Sequence, residues 1–361
     1  MVSTHTNNSK GKERLSELGG WSAILGTLTA GEDLPEATAE AALQNILEGE
    51  ATEAQIGAFV MGLGQKGETP GELAGMVRAM REAATPLSMP EGTIDIVGMG
   101  GSPARRKAAL NVSTMSCFIA SAAGARICKH GNRKASSTSG SFDLLEALGV
   151  NFDLTPAQLE TLVAETGVGF AFAKAYHPAL RHAGPVRVQL GIRTVFNVLG
   201  PLAHPARLHR QVVGVADEGI ADRMVDVLAA TGSDRAWVVT GAGSLDELST
   251  AGPTSVRQLI DGEQSRFVVK PEDLGIAPPA VDALDGGDAA ANATIFHELL
   301  AGKTGPIRDI VALNAAAGLV VAGVAGTLEA GFELAQTAID SGTAGEKLAT
   351  HVQSSQEIAE G

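Results

Sequence analysis

From Trp21 to about Thr85 the apolar positions recur at helical spacing, as in Ala41, Leu43, Ile46 and Leu47 and again in Ile56, Phe59, Val60 and Leu63. Thr52 with Gln55, and Thr69 with Glu72 around Pro70, form capping pairs that predict two helix starts. A small all-helical unit results. At Thr93 the pattern changes: Ile94-Asp95-Ile96-Val97 reads as a short strand running into Gly98-Met99-Gly100-Gly101, residues 112–123 as a helix, and residues 126–129 as a second strand. Parallel βαβ units place ligands at the C-terminal edge of their strands, so both glycine-bearing turns are expected at one edge.

Further on, the pattern predicts a helix over 142–148, a strand over 168–172, and a mostly helical stretch over 178–199 with breaks at Gly184-Pro185 and Gly191. Strands over 211–215 and 236–240 flank a helix over 220–230, and residues 255–259 and 265–269 alternate as a hairpin around Asp261-Gly262. The last helices are expected over 289–300, 307–325 and 327–341. Strands alternating with helices predict an α/β fold with a central, mostly parallel sheet beside the small helical domain. There is no internal repeat and no low-complexity tract.

A chain of 361 residues with 44% hydrophobic content buries a full core, so disorder is not expected. A formal charge of -14 argues against a general nucleic-acid binder, yet one phosphorylated ligand can be held by a local basic pocket and backbone N–H groups. The only cysteines, Cys117 and Cys128, sit among small and apolar residues and read as buried thiols in a reducing compartment. Residues 1–18 read as a mobile polar leader without the apolar run of a signal peptide, and no segment is long and apolar enough to span a membrane. The expectation is a cytoplasmic protein.

Four stretches carry candidate chemistry. The turn Gly98 to Gly101 lets backbone approach an anion closely, and Asn111-Val112-Ser113-Thr114 at the next helix start offers side chains that donate to phosphate or ligate Mg²⁺; an N-cap would need only one of them. Lys129-His130-Gly131-Asn132-Arg133 gathers three potential cations and leads through Lys134 and Ala135 into the hydroxyl run 136–141, the parts of a diphosphate cradle; a solvated basic loop is the alternative. Asp246-Glu247 follows a late strand and suits either N-cap acids or oxygen ligands to Mg²⁺. No zinc spacing competes.

Taken in order, these blocks resemble the anthranilate phosphoribosyltransferase family over about residues 20–350. That family shows a Gly-Thr-Gly-Gly-Asp turn, an Asn-x-Ser-Thr helix start, Lys-His-Gly-Asn-Arg, a Ser-Gly-rich helix start, a Gly-Ile-Arg-Thr-x-Phe-Asn-x-Leu-Gly-Pro-Leu segment and a late Asp-Glu. Here the fifth block is residues 191–202, nearly unaltered. The resemblance implies transfer of phosphoribose from 5-phosphoribosyl 1-diphosphate (PRPP) to anthranilate. It implies that PRPP is held by Gly98, Gly101, Ser102, residues 111–114, residues 129–137 (Ser136 and Ser137 included) and Ser141. Anthranilate would meet Gly98, Asn132 and Arg187, with Lys129, Asn132 and Arg187 at the reacting centre. Two Mg²⁺ ions would be held by Ser113, Asp246 and Glu247.

The same resemblance implies a helical domain of residues 19–90 with 176–203, an α/β PRPP-binding domain of 91–175 with 204–350, a C-terminal tail over 351–361, and a homodimer. Two departures stand out: Met99 and Ser102 replace the family's Thr and Asp, and the loop before Asn111 is about three residues longer and carries Arg105-Arg106-Lys107. These cations are expected to take over part of the PRPP contact, with a solvated loop as the alternative. A pyrimidine-nucleoside phosphorylase, a phosphoribosyltransferase acting on another aromatic acid, and a non-enzymatic nucleic-acid-binding relative are the competing readings; the charge disfavours the last.

Overall fold

The structure, a computed structural model, describes residues 15–100, 102, 109–134, 138–280 and 282–360. In chain order the elements begin with α1 (Gly20–Thr29), α2 (Glu36–Leu47), α3 (Glu53–Lys66), α4 (Pro70–Ala83), β1 (Ile94–Gly98), α5 (Val112–Ala122), β2 (Ile127–Gly131), α6 (Ser141–Ala147), α7 (Pro156–Thr166) and β3 (Val168–Phe172). They continue with α8 (Gly184–Leu190), α9 (Val195–Leu202), β4 (Arg210–Gly214), α10 (Glu218–Ala230), β5 (Arg235–Thr240), β6 (Thr254–Ile260) and β7 (Glu263–Val269). The last are α11 (Ala289–Leu300), α12 (Pro306–Ala322), α13 (Leu328–Asp340) and α14 (Thr343–Glu360). The chain divides into two compact units: residues 1–85, 174–207 and 226–231 in one, and 86–173, 208–225 and 232–361 in the other.

In the first unit both expected capping boxes form. Thr52 Oγ1 accepts the Gln55 N–H while Gln55 Oε1 accepts the Thr52 N–H, and Thr69 and Glu72 do the same. Glu72 is fully buried yet satisfied, because it also accepts the Leu34 N–H and pairs with Lys66 at 2.8 Å. Helices α2 and α4 pack closely at Gly75, where a Cβ would come within 2.3 Å of the Glu36 carbonyl oxygen.

In the second unit seven strands form one sheet in the order β3-β2-β1-β4-β5-β6-β7. The first five are parallel, and β6 and β7 add an antiparallel hairpin. Asp261 and Gly262 both take positive φ, 50° and 86°, as the two-residue turn requires. Helices α5 and α12 pack together and against β1; Gly318 of α12 lies so close that a Cβ would meet Ile96 Cδ1 at 2.5 Å. The direction of chain progression reverses between β1 and β4, which in open α/β sheets is where a crevice forms beyond the strand ends. At that place Gly98 and Gly214 are register partners at the two strand C-termini.

Several elements differ from the expectation. Where a tail is expected from residue 351, α14 runs to Glu360 and buries Ala344, Leu348, His351 and Ser355 on one face. Residues 1–14 of the expected leader lie outside the described residues, whereas Leu15 is buried. Helix α7 has no counterpart among the expected elements, although Thr155 caps it in a box with Gln158. The expected break at Gly184-Pro185 falls between a 3-10 helix over Pro178–His182 and α8, which Pro185 opens from its first turn. Helix α12 stops before Gly323, whose φ of 79° ends it, so it is shorter than 307–325.

Candidate active site

Strand β2 extends to Gly131, so Lys129 and His130 lie inside the sheet and not in an emerging loop. Lys129 is 2% exposed and its Nζ donates to the Ile96 carbonyl at 2.5 Å, so this lysine is not solvated, whereas Asn132 and Arg133 beyond the strand are exposed. The His130 N–H donates to the buried Asp95 Oδ1 at 3.3 Å. Burial pushes the Asp95 carboxyl up to about 7, opposed by the Lys129 charge and by hydrogen bonds from His130, Ile96 and Gln211. A cation and a carboxyl thus lie buried beneath the strand ends.

The segment after β2 turns sharply. Asn132 folds its Oδ1 onto the Arg133 N–H at 2.9 Å, and its carbonyl accepts the Phe142 N–H at the start of α6. Gly140 must be glycine: a Cβ there would lie 2.3 Å from the Lys134 nitrogen. Asp143 binds the turn together by accepting the N–H groups of Lys134 and Gly140. Gly131 faces Ser141, whose Oγ would be 3.0 Å from a Cβ at Gly131. The Arg133 guanidinium is engaged by Glu146 at 2.7 Å and Asp143 at 3.4 Å and stacks over Phe152 at 5.4 Å, an arrangement that points it along α6.

The first glycine turn is tied to the loop that carries Asp246. Gly100, at φ 71°, donates its N–H to Asp246 Oδ2 at 2.7 Å, and the Met99 N–H bonds the Gly214 carbonyl. Ser102 is 1% exposed and its Oγ donates to the Ser244 carbonyl at 2.8 Å, so the hydroxyl replacing the family's carboxylate is a tether between the two loops. Asp246 lies over both strand ends: a Cβ on Gly214 would be 1.8 Å from its carbonyl oxygen, and one on Gly98 would be 2.8 Å from its Oδ2. In sequence Gly214 reads only as part of a strand; its equivalence to Gly98 at a strand end is the available signal.

At the start of α5, Asn111 occupies the N-cap position without capping through its side chain. Its amide bonds protein groups instead: Oδ1 accepts from Ser139 Oγ at 2.9 Å and from Asn292 Nδ2 at 2.8 Å. Val112 is fully buried, leaving only backbone to a ligand, and Ser113 is half-buried on the first turn of the helix. Thr114 Oγ1 is buried with no hydrogen-bond partner among the described residues. Gly101, Arg105, Arg106, Lys107, Ala135, Ser136 and Ser137 lie outside the described residues.

Asp246 and Glu247 are adjacent, half-buried carboxylates beside the Gly98 turn. Among the described residues no group of three or more His, Cys, Asp and Glu gathers as a metal cage. A pair of carboxylates is a sparse, hard-oxygen donor set. It fits Mg²⁺, which takes one or two carboxylates and completes its shell with substrate phosphates and water.

In the helical unit, Arg187 on α8 is half-buried, its guanidinium 5.4 Å from the centre of the Phe196 ring. No carboxylate pairs with it among the described residues, and burial pulls its pKa down from the ordinary arginine value. A stacked, unpaired guanidinium of this kind is suited to a planar carboxylate.

Known proteins place these features in context. A family model described as the a/b domain of a glycosyl transferase family matches residues 91–345, and the helical bundle domain of the same family matches residues 22–84. The anthranilate phosphoribosyltransferase of Parvibaculum lavamentivorans is 46% identical over 326 residues, covering 90% of this chain and 95% of that protein. The crystal structure of the enzyme of that name from Thermus thermophilus matches with a TM-score of 0.86 and 38% identity, covering 92% of this chain and 99% of the other. That from Saccharomyces cerevisiae in complex with 4-fluoroanthranilate matches at 0.80 with 25% identity, covering 98% and 99%. Among the described residues no helix is long and apolar enough to cross a membrane.

Proposed function

The chain belongs to the anthranilate phosphoribosyltransferase family, and on that premise we propose that it transfers the phosphoribosyl group of PRPP to the amine of anthranilate, releasing pyrophosphate. The product is N-(5-phosphoribosyl)anthranilate, the second step from chorismate to tryptophan. The observation that carries the reading is the union, at the C-terminal edge of one sheet, of glycine turns at Gly98 and Gly214, the Lys129–Asn132 segment and the Asp246-Glu247 pair. Bond breaking at the ribose C1 puts negative charge on the departing diphosphate. Backbone N–H groups at the Gly98 turn and the start of α5, the Ser113 and Ser141 hydroxyls and the Lys129 ammonium are the groups proposed to receive it. Lys129 would have to exchange its bond to the Ile96 carbonyl for one to phosphate.

Mg²⁺ when bound would neutralise diphosphate charge, and Asp246, Glu247 and Ser113 are proposed to hold two ions. Asn132 and Arg187 are proposed to orient anthranilate, Arg187 through its carboxylate. The aryl amine is neutral near pH 7, so positioning rather than a strong base is demanded of these side chains. Asn111, Ser102 and Arg133 are proposed to act through the loops they hold. A cytoplasmic homodimer is the proposed state, and the two buried free thiols accord with a reducing compartment.

The test is turnover with PRPP, Mg²⁺ and anthranilate, followed as loss of anthranilate fluorescence. Saturable turnover dependent on all three is expected. Failure with anthranilate but turnover with another aromatic acid would move the chain to a sister activity.

A further inference from the structure

Asn292, on α11 and remote in sequence from every motif of the site, is fully buried and uses its amide at both ends. Its Nδ2 donates to the Ala109 carbonyl at 2.7 Å and to Asn111 Oδ1 at 2.8 Å, and its Oδ1 accepts the Gly287 N–H at 2.8 Å. Ser139 joins the same oxygen of Asn111 from the other side, and Thr138 Oγ1 accepts the Ala109 N–H at 3.1 Å. The backbone is built to allow this approach: a Cβ on Gly286 would lie 2.4 Å from the Ala109 carbonyl oxygen and 2.7 Å from Asn292 Oδ1.

Three separate segments therefore meet on one hydrogen-bond network: the run 109–111 that enters α5, the run 138–140 that enters α6, and the turn before α11. The first two lead directly into Ser113 and Ser141, the hydroxyls proposed above to face diphosphate. In a buried network each bond fixes geometry more tightly than its net stability suggests, because the unmade alternative leaves polar atoms without water. Asparagine is required in this role. It offers two donors and an acceptor in one plane, whereas aspartate would place an acceptor against the Ala109 and Asn111 oxygens.

We propose that Asn292 is a positioning residue for PRPP: it holds the starts of α5 and α6 in the fixed relation that the diphosphate requires, without touching the substrate. The inference rests on the transferase reading above and deepens it. It concerns the PRPP half of the site only, so its signature is selective.

Calorimetric titration of PRPP with Mg²⁺ into wild type, Asn292→Ala and Asn292→Asp, together with the KM for each substrate and the melting temperature, tests it. Both variants are expected to bind PRPP about tenfold more weakly while the KM for anthranilate stays within roughly twofold. A lowered melting temperature with PRPP binding unaltered, or equal losses for both substrates, would overturn the proposal, as would aspartate binding PRPP as wild type does. If Asn292 variants do not fold, Ser139→Ala, which removes one bond at the edge of the network, is expected to weaken PRPP binding about threefold with the same selectivity, and an unchanged affinity would be decisive against it. Wild type failing to bind PRPP at all would instead sink the transferase reading itself.

Discussion

Replacing Gly214 by alanine tests the geometry on which the site depends. Its φ lies outside the left-handed region, so alanine meets no backbone strain there. The whole perturbation is one methyl, placed 1.8 Å from the Asp246 carbonyl oxygen and 2.4 Å from its carbonyl carbon. Both are main-chain atoms and cannot rotate aside, so the loop must move by roughly 1.5 Å to restore ordinary contact, and a misplacement of about 1 Å already costs on the order of 100-fold in rate when it reaches the reacting groups. Overpacking of this size destabilises by about 1–3 kcal/mol, which leaves a folded protein whose melting temperature falls by a few degrees. Gly98→Ala is the internal comparison. Its Cβ would lie 3.2 Å from the Asp246 carbonyl oxygen and 2.8 Å from its Oδ2, so the main chain has far less distance to give and a smaller loss is expected. The assay is kcat/KM for PRPP by anthranilate fluorescence, with melting temperatures in parallel. Gly214→Ala within threefold of wild type, or Gly98→Ala the more damaged of the two, would refute the reasoning.

Arg187→Ala should raise the KM for anthranilate by about 10–100-fold and that for PRPP far less, as loss of a charge-assisted carboxylate contact requires, and the reverse ranking would undo the assignment. Chelation of divalent ions should abolish turnover and added Mg²⁺ restore it, with Glu247→Gln shifting the Mg²⁺ dependence to higher concentration; an unchanged dependence would remove Glu247 from the metal set. Burial holds His177 down to about 4 and His351 to about 3, against an ordinary value of 6.5. Between those values the unfolded chain binds more protons, so stability is fully present above about 6.5 and falls as the pH drops toward 3–4. His351→Leu should shrink the difference in urea stability between pH 7 and pH 5 by about 1–2 kcal/mol, and an undiminished difference would count against burial of a neutral imidazole.

Strand β3 and the β6–β7 hairpin are legible in the sequence because their apolar positions alternate or run unbroken between turn residues. Helix α14 is not, although its buried residues Ala344, Leu348, His351 and Ser355 keep helical spacing, because two of the four are polar and the stripe does not look apolar. In the site, the glycines and hydroxyls that serve as backbone-level ligands are readable as motifs. The residues that hold them are not: Asn292 contacts Asn111 from 181 positions away and Ser244 meets Ser102 from 142, separations at which one sequence carries no pairing signal. The burial of Lys129 is equally hidden, because a lysine at a strand end is ordinarily solvated and only the buried Ile96 carbonyl and nearby Asp95 make the sheet interior acceptable to it.

The helical unit is assembled from residues 1–85, 174–207 and 226–231, in three visits of the chain. During synthesis α1 to α4 emerge long before the segments that complete their core, and at ribosomal rates of ~5–20 residues per second the delay is roughly 7–30 s. For that interval α1 to α4 have only one another to pack against, and the parts of α3 and α4 that α8 and α9 later cover are exposed. A split near Thr85 therefore parts α3 and α4 from α8 and α9, whereas a break in a loop beyond residue 231 leaves every segment of the first unit on one piece.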